Sequence, residues 1–467
     1  MTETDAIKTI LAALQANFDE DQIILDEERR SAYDHDYTED LHFLPAVVVK
    51  PRSVEQVQLV AKLCNENGIP LTVRGAGTGL SGGALPIQGG VLLSMEYFNR
   101  IIAIDTANFQ ATVEPGVINQ VFQDAVAEHG LFYPPDPASK GSCFLGGNIA
   151  HNSGGPRALK YGVTRDYVLN LEIVTADGTR MWTGANTLKN STGYSLTHLM
   201  IGSEGTLAIV TKIVFKLIPK PQQTVLMLAA FADAKAACAA VSKVFMAGAN
   251  PSALEFMEKS GIEISVKHLQ SHFQYIEGAE AYLLIEVDGN AEDQMMLECE
   301  TIHGVLETAG AMEVFFAQSA DEKEHYWRIR RAIGETVKAV SVYKEEDTVV
   351  PRAELPVLLE GVKAIGKRYG FESVCYGHAG DGNLHVNILK GDLSDEAWQS
   401  GLNPAIREIF ELCKKLGGTI SGEHGIGYVQ KSFMDIPFEP AQLAVMKAIK
   451  LAFDPKGILN PGKIFPD

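Results

Sequence analysis

Apolar positions recur at two spacings along the chain, and each spacing predicts a type of element. The stretch 53–67 has helical spacing and is followed by a stop at Gly68; its apolar positions are Val54, Val57, Val60, Ala61 and Cys64. The next stretches, IPLTVR at 69–74 and GGVLLSM at 89–95, have the short β-rich pattern of strands. The N-terminal stretch MTETDAIKTILAALQANF predicts a short amphipathic helix.

The same patterns divide the chain in two. The first half is rich in glycine and in short strand patterns, whereas longer helical patterns rich in Ala, Glu and Met follow the segment KPQQT. The chain has 467 residues, 46% of them hydrophobic, so it can bury more than one core. We therefore expect two or three domains, with a boundary near residue 220.

A glycine-rich loop, RGAGTGLSGGA at 74–84, comes directly after the strand pattern at 69–74. Backbone N–H groups in such a loop can approach a phosphate without obstruction by side chains. The spacing does not match a P-loop, and the loop leads into another strand, which disfavours an ordinary Rossmann unit. Two further glycine-rich stretches, 134–162 and 193–221, could be simple turns, but the three together favour a ligand groove lined by backbone.

Two histidines flank a third kind of loop, GHAGDGNLHVNI at 377–388. If residues 379–383 form a tight turn, His378 leaves one strand, His385 enters the next, and the two rings can converge. The alternative is that each imidazole makes one hydrogen bond at the surface or in the core. Downstream, GGTISGEHGIG at 417–427 adds Glu423 and His424, which could also form an exposed charged turn. A carboxylate with two imidazoles is a common ligand set for a divalent cation.

Charge and cysteine usage limit the partners. The formal net charge of -19 argues against general binding to nucleic acid or anionic lipid, so an anionic substrate would require a local cationic pocket. No apolar run reaches the length of a membrane span, and the N-terminus lacks the pattern of a signal peptide. The six cysteines form no CxxC pair, which argues against a disulfide framework or an iron–sulfur site. We expect reduced thiols in the cytoplasm.

Six motifs together resemble the FAD-linked oxidase family with the vanillyl-alcohol-oxidase fold. In chain order they are RGAGTGLSGG from Arg74, PPDP from Pro134, GGN from Gly146, IGSEGTL from Ile201, GHAGDGNLH from Gly377 and SGEHGIG from Ser421. The last two resemble the D-2-hydroxyacid dehydrogenases, a group that includes D-lactate dehydrogenase, D-2-hydroxyglutarate dehydrogenase and the flavin subunit of glycolate oxidase.

The resemblance implies an α+β fold in three chain segments. Residues 1–220, completed by 425–467, would form a two-subdomain FAD-binding domain, and residues 221–424 an α+β cap domain with the metal and substrate site. The implied FAD contacts are Arg74, Gly75, Ala76, Gly77, Thr78, Gly79, Leu80, Ser81, Gly82, Pro135, Asp136, Gly146, Gly147, Asn148, Asn152, Gly154, Ile209 and Asn460.

Three of these positions carry a more specific implication. Thr78 stands where related covalent flavoenzymes have a flavin-linked histidine, so the FAD would be bound non-covalently. Ile209 would lie near the adenine and Asn460 near the isoalloxazine. One departure from the family pattern is Ala208, where relatives often have glycine.

For the cap, the resemblance implies that His378, His385 and Glu423 bind a divalent metal, commonly zinc, with His424 as the catalytic base. Arg330 and Lys344 match basic positions that contact a substrate carboxylate, although such side chains can also be solvated helix charges. Asn387, two residues beyond His385 and on the same strand face, would also point into the site.

The reaction implied is oxidation of a D-2-hydroxyacid to the 2-oxoacid. The metal would lower the pKa of the substrate hydroxyl, His424 would take the proton, and the C2 hydride would pass to flavin N5. Because the sequence has no haem or iron–sulfur motif, electrons would leave to an external quinone, cytochrome or electron-transfer flavoprotein. An oxygen-using oxidase and a subunit inactive without its partners remain alternatives. The substrate, a homodimer and peripheral attachment to the inner face of the membrane remain open.

Overall fold

The computed structural model describes residues 3–467, with side chains described from Ile7 onward. The chain forms two compact units. The first contains Met1–Gly154, Val163–Lys220 and Glu423–Asp467, and the second contains Gly155–Gly162 and Pro221–Gly422. Residues 155–162 therefore group with the second unit, although the sequence assigned them to the first domain, and the last segment of the first unit begins at Glu423 rather than at residue 425.

The helices of the described chain are, in order, α1 Glu3–Gln15, α2 Glu27–Ser31, α3 Val54–Asn67, α4 Asn119–Ala127, α5 Leu145–His151, α6 Ala158–Tyr161, α7 Leu196–Met200, α8 Ala234–Met246, α9 Lys259–His268, α10 Glu292–Thr308, α11 Ala320–Lys338, α12 Leu355–Tyr369, α13 Asp395–Lys415 and α14 Pro440–Phe453. Short 3-10 turns occur at Glu20–Gln22, Thr164–Tyr167, Arg352–Glu354 and Lys431–Phe433. Among the described residues, none of the helices combines the length and the apolar character that crossing a bilayer requires.

The strands are β1 Ile23–Ile24, β2 Val47–Val49, β3 Leu71–Arg74, β4 Val91–Ser94, β5 Ile101–Asp105, β6 Gln110–Val113, β7 Leu131–Phe132, β8 Val168–Val174, β9 Arg180–Trp182, β10 Ile209–Lys216, β11 Ile218–Pro219, β12 Gln223–Phe231, β13 Ala253–Glu258, β14 Ala281–Gly289, β15 Ala311–Phe316, β16 Tyr343–Val349, β17 Glu372–Gly377 and β18 Asn383–Leu389. The predicted helix α3 and the predicted strands β3 and β4 are confirmed, as is the N-terminal amphipathic helix α1.

Helix α3 shows why the sequence pattern was sufficient there. The Ser53 side chain accepts a hydrogen bond from Gln56 N and caps the first turn, and Gly68 ends the helix in the left-handed conformation with φ 65°. The buried side chains of α3 are the five apolar residues whose spacing predicted the helix. The cap, the apolar face and the stop are all local features of the sequence.

The first unit contains two main sheets. A four-stranded sheet has the order β1-β2-β4-β3, with β2 and β3 both parallel to β4 and β1 antiparallel to β2. A five-stranded antiparallel sheet has the order β5-β6-β10-β8-β9. Helices α1 and α3 pack on the four-stranded sheet in one apolar core.

The C-terminal tail completes the four-stranded sheet of the first unit. Leu71 N donates to Ile458 O at 2.8 Å, and Asn460 N donates to Leu71 O at 2.8 Å, so the tail runs beside β3. Ile458 and Leu459 are buried in the same core as α1 and α3. The first residue of β3, the strand that leads into the glycine-rich loop, is therefore held by residues nearly 400 positions later in the chain.

The second unit is built on a seven-stranded antiparallel sheet with the order β15-β12-β14-β13-β17-β18-β16. One face of this sheet packs against α9 and α11, which share an apolar core with β12, β13 and β17. Strands β17 and β18 are joined by a tight turn at 378–382, one residue earlier than the turn predicted at 379–383, and Tyr376 pairs with His385. Gly382 takes φ 89°, which a residue with a side chain rarely adopts.

Candidate functional site

The glycine-rich loop of the first unit, residues 74–82, is called the glycine cradle below. Gly77 and Gly82 both have φ 73°, in the left-handed region that favours glycine. A side-chain carbon added to Gly75 or Gly79 would make only ordinary van der Waals contacts, at 3.8 Å or more, so no neighbouring atom crowds the backbone there. The cradle therefore exposes main-chain groups without side chains in front of them, as the sequence predicted.

Two buried polar side chains of the cradle have atoms that lack a hydrogen-bond partner within residues 3–467, namely Arg74 Nη1 and Ser81 Oγ. The Arg74 guanidinium folds back over Gly77, where a β-carbon would overlap it. Burial lowers the pKa of Arg74, and the nearby Asp36 carboxylate opposes that effect. A buried guanidinium with an unused N–H is a donor suited to an anionic ligand.

Helix α5 faces the start of the cradle. A β-carbon on Gly75 would lie 3.8 Å from Gly147 N, and no atom lies within 4 Å of the position that a β-carbon on Gly147 would take. Asn148 donates to Asn119 Oδ1 at 3.0 Å, and Asn119 donates to Pro135 O at 3.2 Å. These bonds join the predicted FAD-lining stretches around 135 and 146–148 within the first unit.

The remaining predicted FAD contacts considered next also have structural roles in the first unit. Asn152 ends α5 in the left-handed conformation with φ 53°, and its side chain accepts from Arg165 N at 2.9 Å. Asp136 is buried, and Gly154 is the last residue of its segment of the first unit. The Ile209 side chain is fully buried in the apolar core, so only its backbone is available for a contact with adenine.

Hydrogen bonds around Asn460 join the C-terminal tail to residues 83–85, which directly follow the glycine cradle. Asn460 Nδ2 donates to Gly83 O at 2.9 Å and to Glu204 O at 2.8 Å. Lys463 Nζ donates to Gly83 O, Leu85 O and Asn460 Oδ1 at 3.1, 2.7 and 2.8 Å. Burial lowers the pKa of Lys463 to about 7, although the Glu204 carboxylate acts in the opposite direction.

Glu204 and His151 were not singled out in the sequence. Glu204 accepts hydrogen bonds from Ile426 N at 2.8 Å and Gly427 N at 2.7 Å, so it fixes the loop that follows His424. His151 lies beside that loop, because a β-carbon on Gly425 would come 2.5 Å from His151 Nδ1. The sequence signal for Glu204 was its place between two glycines in IGSEGTL, whereas His151 had no distinguishing signal.

In the second unit, His378 and His385 converge as the sequence predicted. Their ring centroids are 5.4 Å apart and the rings are nearly perpendicular, at 83°. Both are buried, with 8% and 4% of their surface exposed. His385 and Asn387 are two residues apart on β18, so their side chains lie on the same sheet face. The name histidine cluster is used below for His378, His385, Asn387, Glu255 and Arg330.

Glu255, from β13, is the central carboxylate of the histidine cluster. It is 0% exposed, and both its oxygens lie 2.9 Å from His378 Nδ1. Arg330 Nη2, from α11, lies 2.6 Å from Glu255 Oε2. Burial alone would raise the pKa of Glu255, but the neighbouring His378 and Arg330 hold it below its usual value.

Two more carboxylates lie near His385. Glu345 Oε1 and Asp347 Oδ1, both on β16, are each 3.7 Å from His385 Nδ1. Asp347 also accepts from Gly422 N at 2.9 Å and from Ser421 Oγ at 3.0 Å. Gly422, the last residue of the second unit, is therefore hydrogen-bonded to Asp347, which lies beside His385.

The predicted substrate contacts differ in their placement. Arg330 is 5% exposed, stacks over the Tyr376 ring at 4.8 Å and has no hydrogen-bond acceptor for Nε or Nη2 within the described chain. Asn387 is 0% exposed, and neither of its amide atoms has a hydrogen-bond partner there. Lys344 pairs in register with Ile388, so it points to the other sheet face. Because β16 is an edge strand, Lys344 would reach the cluster only round that edge.

Glu423 and His424 belong to the last segment of the first unit, so the two halves of the predicted metal site lie in different compact units. The sequence missed Glu255, Glu345 and Asp347. The available signal was a carboxylate within an otherwise apolar strand, as in SALEFME around Glu255.

A second group of potential metal ligands lies in the first unit. Asp34 Oδ1 lies 2.8 Å from His35 Nδ1 and 3.1 Å from His42 Nδ1. Both imidazoles are more than half exposed, at 51% and 67% of the side chain. Hydrogen bonds between one carboxylate and two solvent-exposed imidazoles account for this arrangement.

Comparison with known structures defines the class of the protein. The structure of p-cresol methylhydroxylase with substrate bound superposes with a TM-score of 0.81, 18% identity, and coverage of 100% of this chain and 98% of that chain. A 4-ethylphenol oxidase from Gulosibacter chungangensis superposes with a TM-score of 0.78, 20% identity, and coverage of 100% and 98%. The fold is that of the vanillyl-alcohol-oxidase type of FAD-binding proteins, which confirms the predicted fold class.

Family models and relatives identify the family. Residues 45–184 match the FAD binding domain and residues 220–464 match the C-terminal domain of FAD linked oxidases. The D-lactate dehydrogenase of Anaerostipes hadrus is 41% identical over 90% of this chain and 89% of its own length, and the glycolate oxidase subunit GlcD of Bacillus subtilis is 39% identical over 93% and 92%. The chain belongs to the FAD-linked oxidases and is an FAD-dependent oxidoreductase.

Proposed function

We propose that this chain oxidises a D-2-hydroxyacid, such as D-lactate, D-2-hydroxyglutarate or a similar acid, to the 2-oxoacid and passes the electrons to an external acceptor. The observation that carries the proposal is the histidine cluster, in which two buried imidazoles lie close to the buried Arg330 guanidinium, whose Nε has no acceptor in the described chain. The names of the relatives, D-lactate dehydrogenase and glycolate oxidase subunit, support the same class of substrate.

The residues of the first unit fit FAD. The open main chain at Gly75 and Gly79 and the unused donor Arg74 Nη1 suit a pyrophosphate, and Thr78 offers no imidazole for a covalent bond. Asn460 and Lys463 hold the neighbouring segment 83–85 in place. When bound, the flavin supplies a two-electron acceptor for the C2 hydride.

The histidine cluster together with Glu423 fits a divalent metal, with zinc as the expected ion. Glu255 holds His378 through Nδ1, so Nε2 is the ring nitrogen that we assign to the metal. Glu423 follows directly after Gly422, whose N–H is bonded to Asp347 beside His385. We therefore assign His378, His385 and Glu423 as ligands. A bound dication supplies Lewis acidity that lowers the pKa of a coordinated hydroxyl.

The side chains then have separate roles toward the substrate. Arg330 and Asn387 bind and orient the carboxylate, and Lys344 contributes if its side chain reaches round β16. Because Arg330 Nε and both amide atoms of Asn387 have no hydrogen-bond partner within residues 3–467, the cost of burying them would be offset when an anionic ligand binds. His424 takes the hydroxyl proton, and Glu204 holds the loop that follows it.

The decisive experiment measures flavin reduction. Under anaerobic conditions, purified FAD-loaded protein is mixed with a panel of D- and L-2-hydroxyacids, and flavin absorbance is followed by stopped flow. We expect bleaching by D-isomers and none by the matched L-isomers. A flavin that no 2-hydroxyacid reduces would contradict the proposal.

A second assay distinguishes the two remaining alternatives. The rate with an artificial dye acceptor is compared with peroxide formation in air; we expect turnover with dye and little peroxide. Dominant peroxide formation would identify an oxidase instead. The relative named glycolate oxidase subunit favours the other alternative, a flavin subunit that requires partners, and flavin reduced by substrate without turnover on any dye would support it.

The mode of FAD attachment has its own test. Acid precipitation should release all flavin into the supernatant, because Thr78 cannot form the histidyl bond of covalent relatives. Yellow colour remaining in the washed pellet would show a covalent link.

A further inference from the structure

Glu255 is a charged residue that no motif of the chain assigns to the site. It lies on β13, whose neighbouring residues Ala253 and Met257, on the same sheet face, belong to the apolar core under α9 and α11. A fully buried carboxylate among apolar groups is costly unless it is paired. The structure supplies two partners for the same group, His378 and Arg330.

We propose that Glu255 is a positioning residue that sets the tautomer and orientation of His378 and, through its second contact, the position of the Arg330 guanidinium. The inference rests on the function proposed above, in which His378 binds a metal and Arg330 binds the substrate carboxylate. The Glu255 carboxylate would thereby fix the distance between the metal ligand His378 and the substrate contact Arg330.

The contact with His378 determines which ring nitrogen is available. Both oxygens of Glu255 lie 2.9 Å from His378 Nδ1. An ionised carboxylate only accepts hydrogen bonds, so Nδ1 carries the proton and Nε2 keeps its lone pair. A carboxylate behind a ligating imidazole also makes the ligand more basic, which strengthens its bond to a metal.

The contact with Glu255 holds the Arg330 guanidinium in place and does not use all of its N–H donors. Arg330 Nη2 forms an ion pair with Glu255 Oε2 at 2.6 Å, whereas Arg330 Nε has no acceptor within the described residues. The guanidinium is further held over the Tyr376 ring at 4.8 Å. The cation is therefore fixed while its N–H groups remain available to an anion.

The chain provides a matched control in Glu258. This residue is on the same strand, is 8% exposed, pairs with Lys363 at 2.8 Å and accepts from Cys375 N at 2.7 Å. Neither partner belongs to the histidine cluster. Glu258→Gln thus disturbs a buried ion pair on β13 without touching His378 or Arg330.

The experiment compares wild type, Glu255→Gln and Glu258→Gln as FAD-loaded proteins. Zn²⁺ affinity is measured by equilibrium dialysis with elemental analysis, and kcat and KM are measured with the 2-hydroxyacid that reduces the wild-type flavin fastest. Glu255→Gln should bind Zn²⁺ about ten- to a hundredfold more weakly, and Glu258→Gln should match wild type. Added Zn²⁺ should restore kcat of Glu255→Gln, while its KM stays raised because Arg330 is no longer anchored. A purely structural defect would not respond to Zn²⁺.

A second variant covers the case in which Glu255→Gln does not fold. Glu255→Asp keeps the charge but withdraws it by one methylene, and it should also lose Zn²⁺ affinity. Wild-type affinity and KM in both variants, or equal losses in Glu258→Gln, would overturn the positioning role and leave the proposed function intact. Wild-type protein that is active without any metal would overturn the metal site and this inference together.

Discussion

The glycine cradle and the histidine cluster are built from different parts of the chain. In the cradle, positions such as Gly75 and Gly79 present main chain that no neighbouring atom crowds, and left-handed conformations at Gly77 and Gly82 exclude most side chains. In the cluster, the functional groups are side chains from separate elements, namely β13, α11, β17 and β18. The glycine cradle depends on positions without side chains, whereas the histidine cluster depends on side chains from separate elements lying close together.

This difference predicts different responses to mutation. In the cradle, adding one methyl group should be harmful, whereas changes in side-chain chemistry matter less. In the cluster, removing a metal-binding imidazole should lower activity by orders of magnitude, and removing the Glu255 carboxylate should weaken metal binding. The following predictions test that contrast, from the largest expected effect to the smallest.

The largest effect is expected for His424→Ala. Loss of a general base lowers the rate of the proton-coupled step by about a hundred- to ten-thousandfold. The variant should keep its FAD and metal, and anaerobic stopped-flow absorbance of the flavin at saturating substrate measures the step directly. His129→Ala, at an exposed position of the first unit, should reduce flavin at the wild-type rate. If His424→Ala lost its metal, His424 would be a ligand rather than the base.

His378→Ala should remove the metal and leave FAD bound, because the flavin contacts are assigned to the first unit. Loss of several kcal/mol of Lewis-acid stabilisation corresponds to a fall in activity of about a thousandfold or more. Elemental analysis and the flavin spectrum measure the two cofactors separately, and chelation of wild type should give the same result. The exposed His268, in the same unit, provides a control variant that should keep both. Simultaneous loss of flavin would show that the site has a structural role.

Gly77→Ala should weaken FAD binding without affecting the histidine cluster. Alanine at φ 73° strains the backbone whether or not FAD is bound, but its methyl group would also displace the Arg74 side chain. Because a hydrogen bond to a charged group contributes about 1.5–3 kcal/mol, we expect an FAD affinity about ten- to a hundredfold lower. Flavin fluorescence on titration of the apoprotein measures it. Gly130 has φ 71° and open space around it, so Gly130→Ala imposes the same backbone strain outside the cradle. Equal FAD affinity in the two variants would contradict a specific role for Gly77.

The last prediction concerns Lys463 and affects stability, through its dependence on pH, rather than activity. Its pKa in the folded protein is about 7, whereas an unfolded lysine titrates at about 10.4. Between these values the unfolded state binds more protons, so this residue should make the folded state more stable as pH rises from 7 to 10. The slope is at most about 1.4 kcal/mol per pH unit, and it should vanish below pH 7. Chemical denaturation of wild type and Lys463→Gln at several pH values measures the difference; parallel curves would show that Lys463 keeps its charge.

The sequence was sufficient where the determining interactions are local. Helix α3 carries its own cap, apolar face and stop within 16 residues, from Ser53 to Gly68. The glycines between β17 and β18 permit a tight turn, and this turn brings His378 and His385 together. Their convergence was therefore also predictable. The motif order was enough to indicate the family, because the cradle and both histidine motifs are contiguous stretches.

Only the tertiary structure placed the residues that hold these motifs in position. Glu255 meets His378 across 123 positions of sequence, and Asn460 bonds to Gly83 across 377. The segment 155–162 lies in the second unit because Lys160 pairs with the buried Asp288, 128 positions away. Local periodicity cannot reveal such partners, since a carboxylate in a strand looks the same whether it faces solvent or a buried cation. The sequence by itself determined the family and the candidate residues for the chemistry, and the packing of distant strands and helices decided which partners hold those residues in place.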